Sequence, residues 1–109
     1  MSDYAVVDPA TGELIASYDT FTDAQIEDAV ERADAAARGF GRSSSPTERA
    51  ELIRAVARLH RERRDELAQI IVREVGKPLT AAYGEVDFAA DITEYYADHI
   101  DEITADAPV

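Results

Sequence analysis

Two short runs of β-prone residues open the chain, and turn residues separate them. The runs cover 5–7 and 14–18, and the stretch between them contains Pro9 and Gly12. Proline fixes φ within a turn, and glycine adopts a positive φ without steric cost. The pattern therefore predicts a β-hairpin over about residues 5–18.

Beyond the hairpin, apolar residues recur every three or four positions, which is typical of amphipathic helices. Thr22 with Gln25, and Ser45 with Glu48, have the spacing of capping boxes, which mark helix starts. We expect a single domain, mostly α with a small N-terminal β-hairpin and about four helices. The predicted helices cover about residues 23–38, 46–62, 64–75 and 79–103.

The last predicted helix, 79–103, has two adjoining apolar stripes. The first consists of Val86, Ala89, Thr93, Tyr96, Ile100 and Ile103, and the second of Phe88, Ile92, Tyr95 and His99. A helix of about 25 residues is ~37 Å long, which is about the breadth of a globule of 100 residues. The hairpin and the shorter helices cannot cover both stripes. We therefore expect another subunit or a missing domain to pack on this helix.

Composition narrows the classes of partner. A net charge of −12 argues against nucleic acid, because binding there rests on neutralising phosphates. No apolar run approaches the ~20 residues needed to span a bilayer, and residues 1–4 lack the features of a secretory signal. The chain has no cysteine and therefore no thiol nucleophile or disulfide. We expect a cytoplasmic protein with neither a nucleic-acid nor a membrane partner.

Two charged clusters stand out. The basic cluster is interleaved with acidic residues at helical spacing, which favours an ion-paired surface over a nucleic-acid patch. It consists of Arg54, Arg58, Arg61, Arg63 and Arg64. The acidic cluster lines one face of the last predicted helix, where we expect it to be exposed to solvent. It consists of Asp87, Asp91, Glu94 and Asp98.

Neither histidine belongs to a metal-binding motif. A di-metal carboxylate site in a helical bundle uses Glu-x-x-His pairs, but Ala57 and Tyr96 stand three residues before His60 and His99. Surface or packing roles are therefore expected for both histidines. A metal-binding carboxylate bundle is the least favoured hypothesis.

The loops offer no strong catalytic motif. Gly39-Phe40-Gly41 lacks the third glycine and the preceding strand of a dinucleotide fingerprint, and 41–45 lacks the closing glycine of a nucleophile elbow. Gly76-Lys77-Pro78 contains the single lysine of the chain, which could pair with an anionic ligand. Helix C-termini repel anions, however, and glycine is the usual left-handed cap there. A turn between two helices is therefore the favoured interpretation.

In order, the segments VVDPATGELIASY, FGRSSSPTERAELIRAVARLHRERRDELAQIIVREVGKPLTAAYGEV and ADITEYYADHI resemble the N-terminal region of the aldehyde dehydrogenase superfamily. Within it they are most similar to succinate-semialdehyde-type members. The resemblance covers nearly the whole chain. Three positions depart from the common pattern: Asp8 replaces an asparagine, Phe40 a tryptophan and Ala81 a glutamate.

The resemblance implies NAD(P)-dependent oxidation of an aldehyde to a carboxylic acid. In such enzymes a cysteine attacks the aldehyde, hydride passes to the nicotinamide, and a glutamate activates water to hydrolyse the thioester. These groups and the dinucleotide site lie C-terminal to the region matched here. We therefore expect an incomplete N-terminal part of an α/β aldehyde dehydrogenase fold, with no catalytic or cofactor-binding residue and no activity or cofactor of its own.

The resemblance also implies a candidate site for a monovalent cation, held by Glu74 and the backbone carbonyl of Val6. Lys77 has no catalytic role in the family pattern. The expected partner on the last helix is the remainder of the enzyme or a second copy of the chain. A stand-alone acidic helical module that binds another protein stays open as an alternative.

Overall fold

The computed structural model describes residues 4–107, and within this range helices predominate over a small two-stranded sheet. The predicted fold class is thereby confirmed. The elements are β1 Tyr4–Val7, β2 Leu14–Tyr18, α1 Asp23–Ala36, a π-helical turn Ala37–Gly41, α2 Pro46–Glu62, α3 Arg64–Val75, α4 Leu79–Asp98 and α5 Ile100–Ile103.

The chain divides into two compact units between Ser44 and Ser45, whereas the sequence predicts a single domain. The difference follows from where the buried residues lie. Among residues 4–107, every buried hydrophobic residue belongs to the second unit, from Ala50 onward. The hairpin and α1 therefore form a unit without a buried core of its own.

In the first unit, β1 and β2 form an antiparallel hairpin in which Val6 lies opposite Ala16. Gly12 adopts a φ of 77°, the left-handed conformation that its place in the turn requires. The Asp8 carboxylate accepts a hydrogen bond from the Ala10 amide at 2.8 Å. The aspartate at this position thus forms the Asx turn itself.

Helix α1 begins at the predicted capping box. The Thr22 hydroxyl accepts from the Gln25 amide at 3.3 Å, and the Gln25 side chain accepts from the Thr22 amide at 2.9 Å. The helix predicted over about 23–38 ends at Ala36 in the structure, and the π-helical turn Ala37–Gly41 follows it. Within that turn Gly39 has non-helical backbone angles, φ −81° and ψ −105°, which kink the chain.

In the second unit, α2 and α4 pack along each other and α3 packs on α4. A second capping box starts α2, with the Ser45 amide donating to the Glu48 carboxylate at 2.7 Å. The buried positions are small: among residues 4–107 they are Ala50, Ala57, Ala68, Ala82, Val86, Ala90 and Ala97. We call this set the alanine seam. Small side chains at a helix contact allow the two axes to approach closely.

Only part of the first apolar stripe is buried in the structure. Val86 is buried, but Tyr96 and Ile103 are exposed. The contact with α2 and α3 is instead made by alanines on the same side of α4, because only small residues fit between closely packed helices. The second stripe, with Phe88 and Ile92, is exposed.

The helix predicted over 79–103 is divided in the structure. α4 ends at Asp98, and α5 begins at Ile100. His99 has φ −104° and ψ 15°, outside the α-helical range, which interrupts the helix. Within the described part of the chain, no helix combines the length and the apolar character needed to cross a membrane.

Candidate functional site

Gly76-Lys77-Pro78 is the turn between α3 and α4. Gly76 has a φ of 73° and caps α3, with its amide donating to the Val72 carbonyl at 2.9 Å. Pro78 precedes the first residue of α4. The Lys77 ammonium donates to the Glu85 carboxylate of α4. The interpretation as a turn is confirmed, and the lysine has a partner within its own unit.

The residues of the candidate cation site lie in different units. Val6 is half-buried in β1, and Glu74 is half-buried in the last turn of α3. The Glu74 carboxylate pairs with Arg73 at 3.0 Å. The cation site stays a prediction.

The acidic face of α4 is paired with arginines of α2 and α3. Arg54 donates to Asp98 at 3.0 Å, Arg61 to Asp91 at 2.9 Å and to Glu94, and Arg64 to Asp87 at 2.6 and 2.7 Å. We call these pairs the arginine ladder. As the arginines ascend in sequence their partners descend, so α4 runs antiparallel to α2.

The two charged clusters were predicted to lie on separate helix surfaces, but in the structure they pair with each other. Asp91 and Asp98 are exposed, as expected, whereas Asp87 and Glu94 are half-buried, and each of the four has an arginine partner on another helix. Pairs within one helix also form, such as Arg54 with Glu51 in α2. Basic and acidic clusters therefore join the helices to one another and do not form a site for an external ligand.

Hydrogen bonds set the pKa shifts in this region. The Arg64 guanidinium, which donates to both oxygens of Asp87, lowers the pKa of that carboxyl. Likewise Arg63 lowers the pKa of Glu66. Because each of these side chains keeps 40% or more of its surface open to solvent, water screens the pairs and each contributes little to stability.

Arg64 also lies over the ring of Tyr83, with Cζ 4.1 Å from the ring centroid. The Tyr83 phenol is hydrogen-bonded to Asp65, which raises the pKa of the phenol. A guanidinium that stacks on a ring and forks onto a carboxylate is held in one orientation. This group fixes the start of α3 against α4.

Both histidines have packing roles in the structure. His60 Nδ1 lies 2.9 Å from the Val56 carbonyl, and His99 Nδ1 lies 2.8 Å from the Tyr95 carbonyl. The His99 ring stacks on Tyr95 with centroids 4.1 Å apart. Over residues 4–107, no three side chains of the metal-binding types are grouped closely enough to hold an ion.

An open cleft of about 290 Å³ lies in the second unit between α2, α3 and α4. Leucine, isoleucine, valine and alanine form most of its lining, with His60 and Glu85 as the polar members. A substrate site needs several polar groups that converge on one ligand. This lining suits packing against another apolar surface better than chemistry.

The described residues offer no cradle for a dinucleotide. Gly39 and Gly41 belong to the π-helical turn that follows α1, so no strand end presents amides there to a pyrophosphate. The chain also has no cysteine to attack an aldehyde.

The arginine ladder and the alanine seam were missed from the sequence. A signal for the ladder exists: the arginines 54, 61 and 64 are separated by 7 and 3 positions, and the acids 98, 91 and 87, read in reverse, by 7 and 4. Matched spacing in opposite directions indicates antiparallel helices. Alanine, in contrast, occurs at buried and exposed helix positions alike, so the seam has no comparable signal.

The chain is similar in sequence to known proteins of one family. The family model described as the aldehyde dehydrogenase family matches residues 1–108. The succinate-semialdehyde dehydrogenase [NADP(+)] of Deinococcus radiodurans is 44% identical over 95 residues, which is 87% of this chain and 20% of that protein. The enzyme of the same name from Saccharomyces cerevisiae is 38% identical over 95 residues, 87% of this chain and 19% of that protein.

A solved structure shows the same arrangement. The succinic semialdehyde dehydrogenase of Streptococcus pyogenes, in complex with NADP+, matches with a TM-score of 0.91 and 36% identity, over 97% of this chain and 23% of that one. The chain thus spans about a fifth of the length of the curated relatives it matches. With nearly all of its residues matched by the family model, the chain belongs to the aldehyde dehydrogenase family.

Proposed function

We propose that this chain is the N-terminal segment of an NAD(P)-dependent enzyme that oxidises succinate semialdehyde to the dicarboxylic acid. The similarity to relatives named succinate-semialdehyde dehydrogenase, in sequence and in structure, is the observation that carries the proposal. The reaction itself would use residues of the whole enzyme that lie outside this segment.

Within that enzyme the role of the segment is structural. Its charges pair with one another, its histidines pack, and its cleft is apolar. It would supply a helical layer on which the catalytic and cofactor-binding parts are supported. Alone, the 109 residues would not turn over an aldehyde, because the thiol that attacks the carbonyl is missing.

The first test is an assay of the purified chain with succinate semialdehyde and either NAD+ or NADP+. We expect no formation of reduced nicotinamide above the rate in buffer. Turnover by this chain would contradict the proposed inactivity.

The second test is a hybrid in which this chain replaces the matched region of the Deinococcus radiodurans enzyme. We expect the hybrid to oxidise succinate semialdehyde, and the same enzyme with that region deleted to be inactive. A hybrid that is no more active than the deleted enzyme would refute the structural role.

A second candidate is an independent acidic module that binds another protein, and the exposed apolar side chains of α4 favour it. The genomic sequence downstream of Val109 separates the two. A reading frame that carries the rest of the enzyme supports the segment, and a stop with no remnant supports the module. Under either proposal we place the protein in the cytoplasm.

A further inference from the structure

Helix α1 has little tertiary packing to stabilise it. It consists of 14 residues, and none of them is buried. Its larger apolar side chains, Ile26 and Val30, are 49% and 63% exposed. A helix of ~12–15 residues is only marginally stable in water unless an apolar face is covered. The helical and unfolded states of α1 are therefore close in free energy, so a small electrostatic contribution decides between them.

Carboxylates follow one another along α1. Asp23, Glu27 and Glu31, which we call the carboxylate row, stand at intervals of four residues, and all three are exposed. Side chains at this spacing are neighbours, with Cβ atoms about 5–6 Å apart, and like charges there destabilise a helix. The favourable interaction of a carboxylate with the helix dipole is confined to the first turn and therefore reaches only Asp23. The row thus contains two repulsive pairs that oppose the helix.

No arginine near the carboxylate row offsets this repulsion. Arg32 donates to Asp28 at 2.9 Å, and Arg38 donates to Asp34. Among residues 4–107, no member of the row takes part in an ion pair. Basic residues are also scarce in this part of the sequence, since the first unit contains nine acidic and three basic residues. The repulsion within the row is therefore left to the solvent and its ions to screen.

We propose that ionic strength controls the folding of α1: the carboxylate row opposes the helix at low salt, and screening by added salt allows the helix to form fully. The Debye length is about 30 Å at 0.01 M salt and about 3 Å at 1 M. Neighbouring carboxylates of the row, about 5–6 Å apart at Cβ, therefore repel almost fully at the lower concentration and little at the higher. This response belongs to the conformation of the chain and is independent of the reaction of the enzyme.

Hydrogen exchange followed by mass spectrometry tests the response of α1 in the 109-residue chain. The exchange of its amides is measured at about 0.01 M and about 1 M NaCl, which span the change in Debye length. We expect the amides of α1 to exchange about two- to fivefold more slowly at the higher concentration, because two repulsive pairs are then screened.

Two variants, each replacing one carboxylate by its amide, separate the row from the net charge. Glu27→Gln removes both repulsive pairs, so its α1 amides should be protected nearly equally at the two salt concentrations. Asp28→Asn removes the same charge but leaves the row intact, because Asp28 pairs with Arg32, and it should retain the gain of the parent chain. Parent and variants are compared at the same salt concentration, so the effect of salt on intrinsic exchange rates cancels.

Three results would overturn the inference. Equal protection of α1 in the parent chain at both salt concentrations would show that the helix does not respond to salt. Absence of protection even at the higher concentration would show that screening does not complete the helix. A gain that persists in Glu27→Gln, or that Asp28→Asn abolishes as well, would assign the response to the net charge or to a general effect of salt, and not to the carboxylate row.

Discussion

Arg64 and Asp87 form a forked ion pair, with Nε 2.6 Å from Oδ1 and Nη2 2.7 Å from Oδ2. The pair joins the first residue of α3 to the middle of α4. It stands at one end of the arginine ladder, and its guanidinium is also stacked on Tyr83. The orientation of the Arg64 guanidinium, and not only its charge, therefore holds α3 against α4.

Arg64→Lys should lower the melting temperature of the chain slightly, because lysine retains the charge but cannot fork onto the carboxylate or stack in the same way. Arg64→Ala should lower it further, by a few degrees. Thermal melts followed by circular dichroism measure both. Arg58→Lys is the control, since Arg58 approaches Glu62 only to 3.9 Å. Equal effects at both arginines would contradict a special role for the fork.

The alanine seam should not tolerate larger side chains. Ala57→Leu places three additional carbon atoms at a position with 0% exposure and should destabilise the chain by about 1–3 kcal/mol. Urea denaturation measures the change. Ala81→Leu adds the same atoms at an exposed position of α4 and should stay within about 0.5 kcal/mol of the parent chain. Similar results for the two variants would contradict close packing at Ala57.

Two glycines should respond to alanine with opposite signs. Gly76→Ala introduces a side chain at φ 73° and should destabilise the chain by about 1–2 kcal/mol. Gly84→Ala lies within α4, where an added Cβ meets no atom within 4 Å, and should stabilise the chain by about 0.5–1 kcal/mol. Urea midpoints measure both. A stabilising Gly76→Ala would show that the left-handed cap is not required.

The free energy of unfolding should decrease at acidic pH, because carboxyls that are hydrogen-bonded in the folded state become protonated. Arg64 lowers the pKa of Asp87, so the folded state binds fewer protons than the unfolded state as the pH approaches 4. The contribution of this pair is fully present above the unfolded pKa and is lost as the pH falls through the folded pKa. Glu66 and Glu48 should contribute with the same sign, since their pKa values are also lowered.

The pH dependence can be assigned to Asp87 by substitution. Asp87→Asn should flatten the decline of the unfolding free energy below about pH 5, because the amide does not titrate. Urea melts over a series of pH values measure the slope. Asp101→Asn is the control, because Asp101 makes no ion pair in the described part of the chain. An unchanged slope in Asp87→Asn would refute the assignment.

Local signals in the sequence anticipated the local structure. Thr22 and Ser45 form the capping boxes that their spacing predicts, and Gly76 ends α3 in the left-handed conformation. Each of these features depends on residues that are close in sequence. The backbone geometry there is set by neighbours three or four positions away.

Contacts between helices were harder to anticipate. The partners of Arg54 and Arg61 lie on α4, far along the chain, and are fixed only once the two helices are aligned. The division of the last predicted helix at His99 likewise depends on a single backbone conformation that histidine does not require. The second apolar stripe, in contrast, was visible in the sequence, since Phe88 and Ile92 share a face by spacing alone.

The alanine seam has a consequence for how this polypeptide reaches its final form. A buried alanine removes a single methyl group from water, worth about 0.8 kcal/mol, whereas burying a phenylalanine or leucine gains about 1.5–3 kcal/mol. In the second unit the methyl groups are inside and residues such as Phe88 are outside. The hydrophobic stabilisation available from side chains such as Phe88 is therefore not used within the described residues. Any surface that covers them would add its binding free energy to the folding free energy of these helices, so their stability would rise with the concentration of that surface.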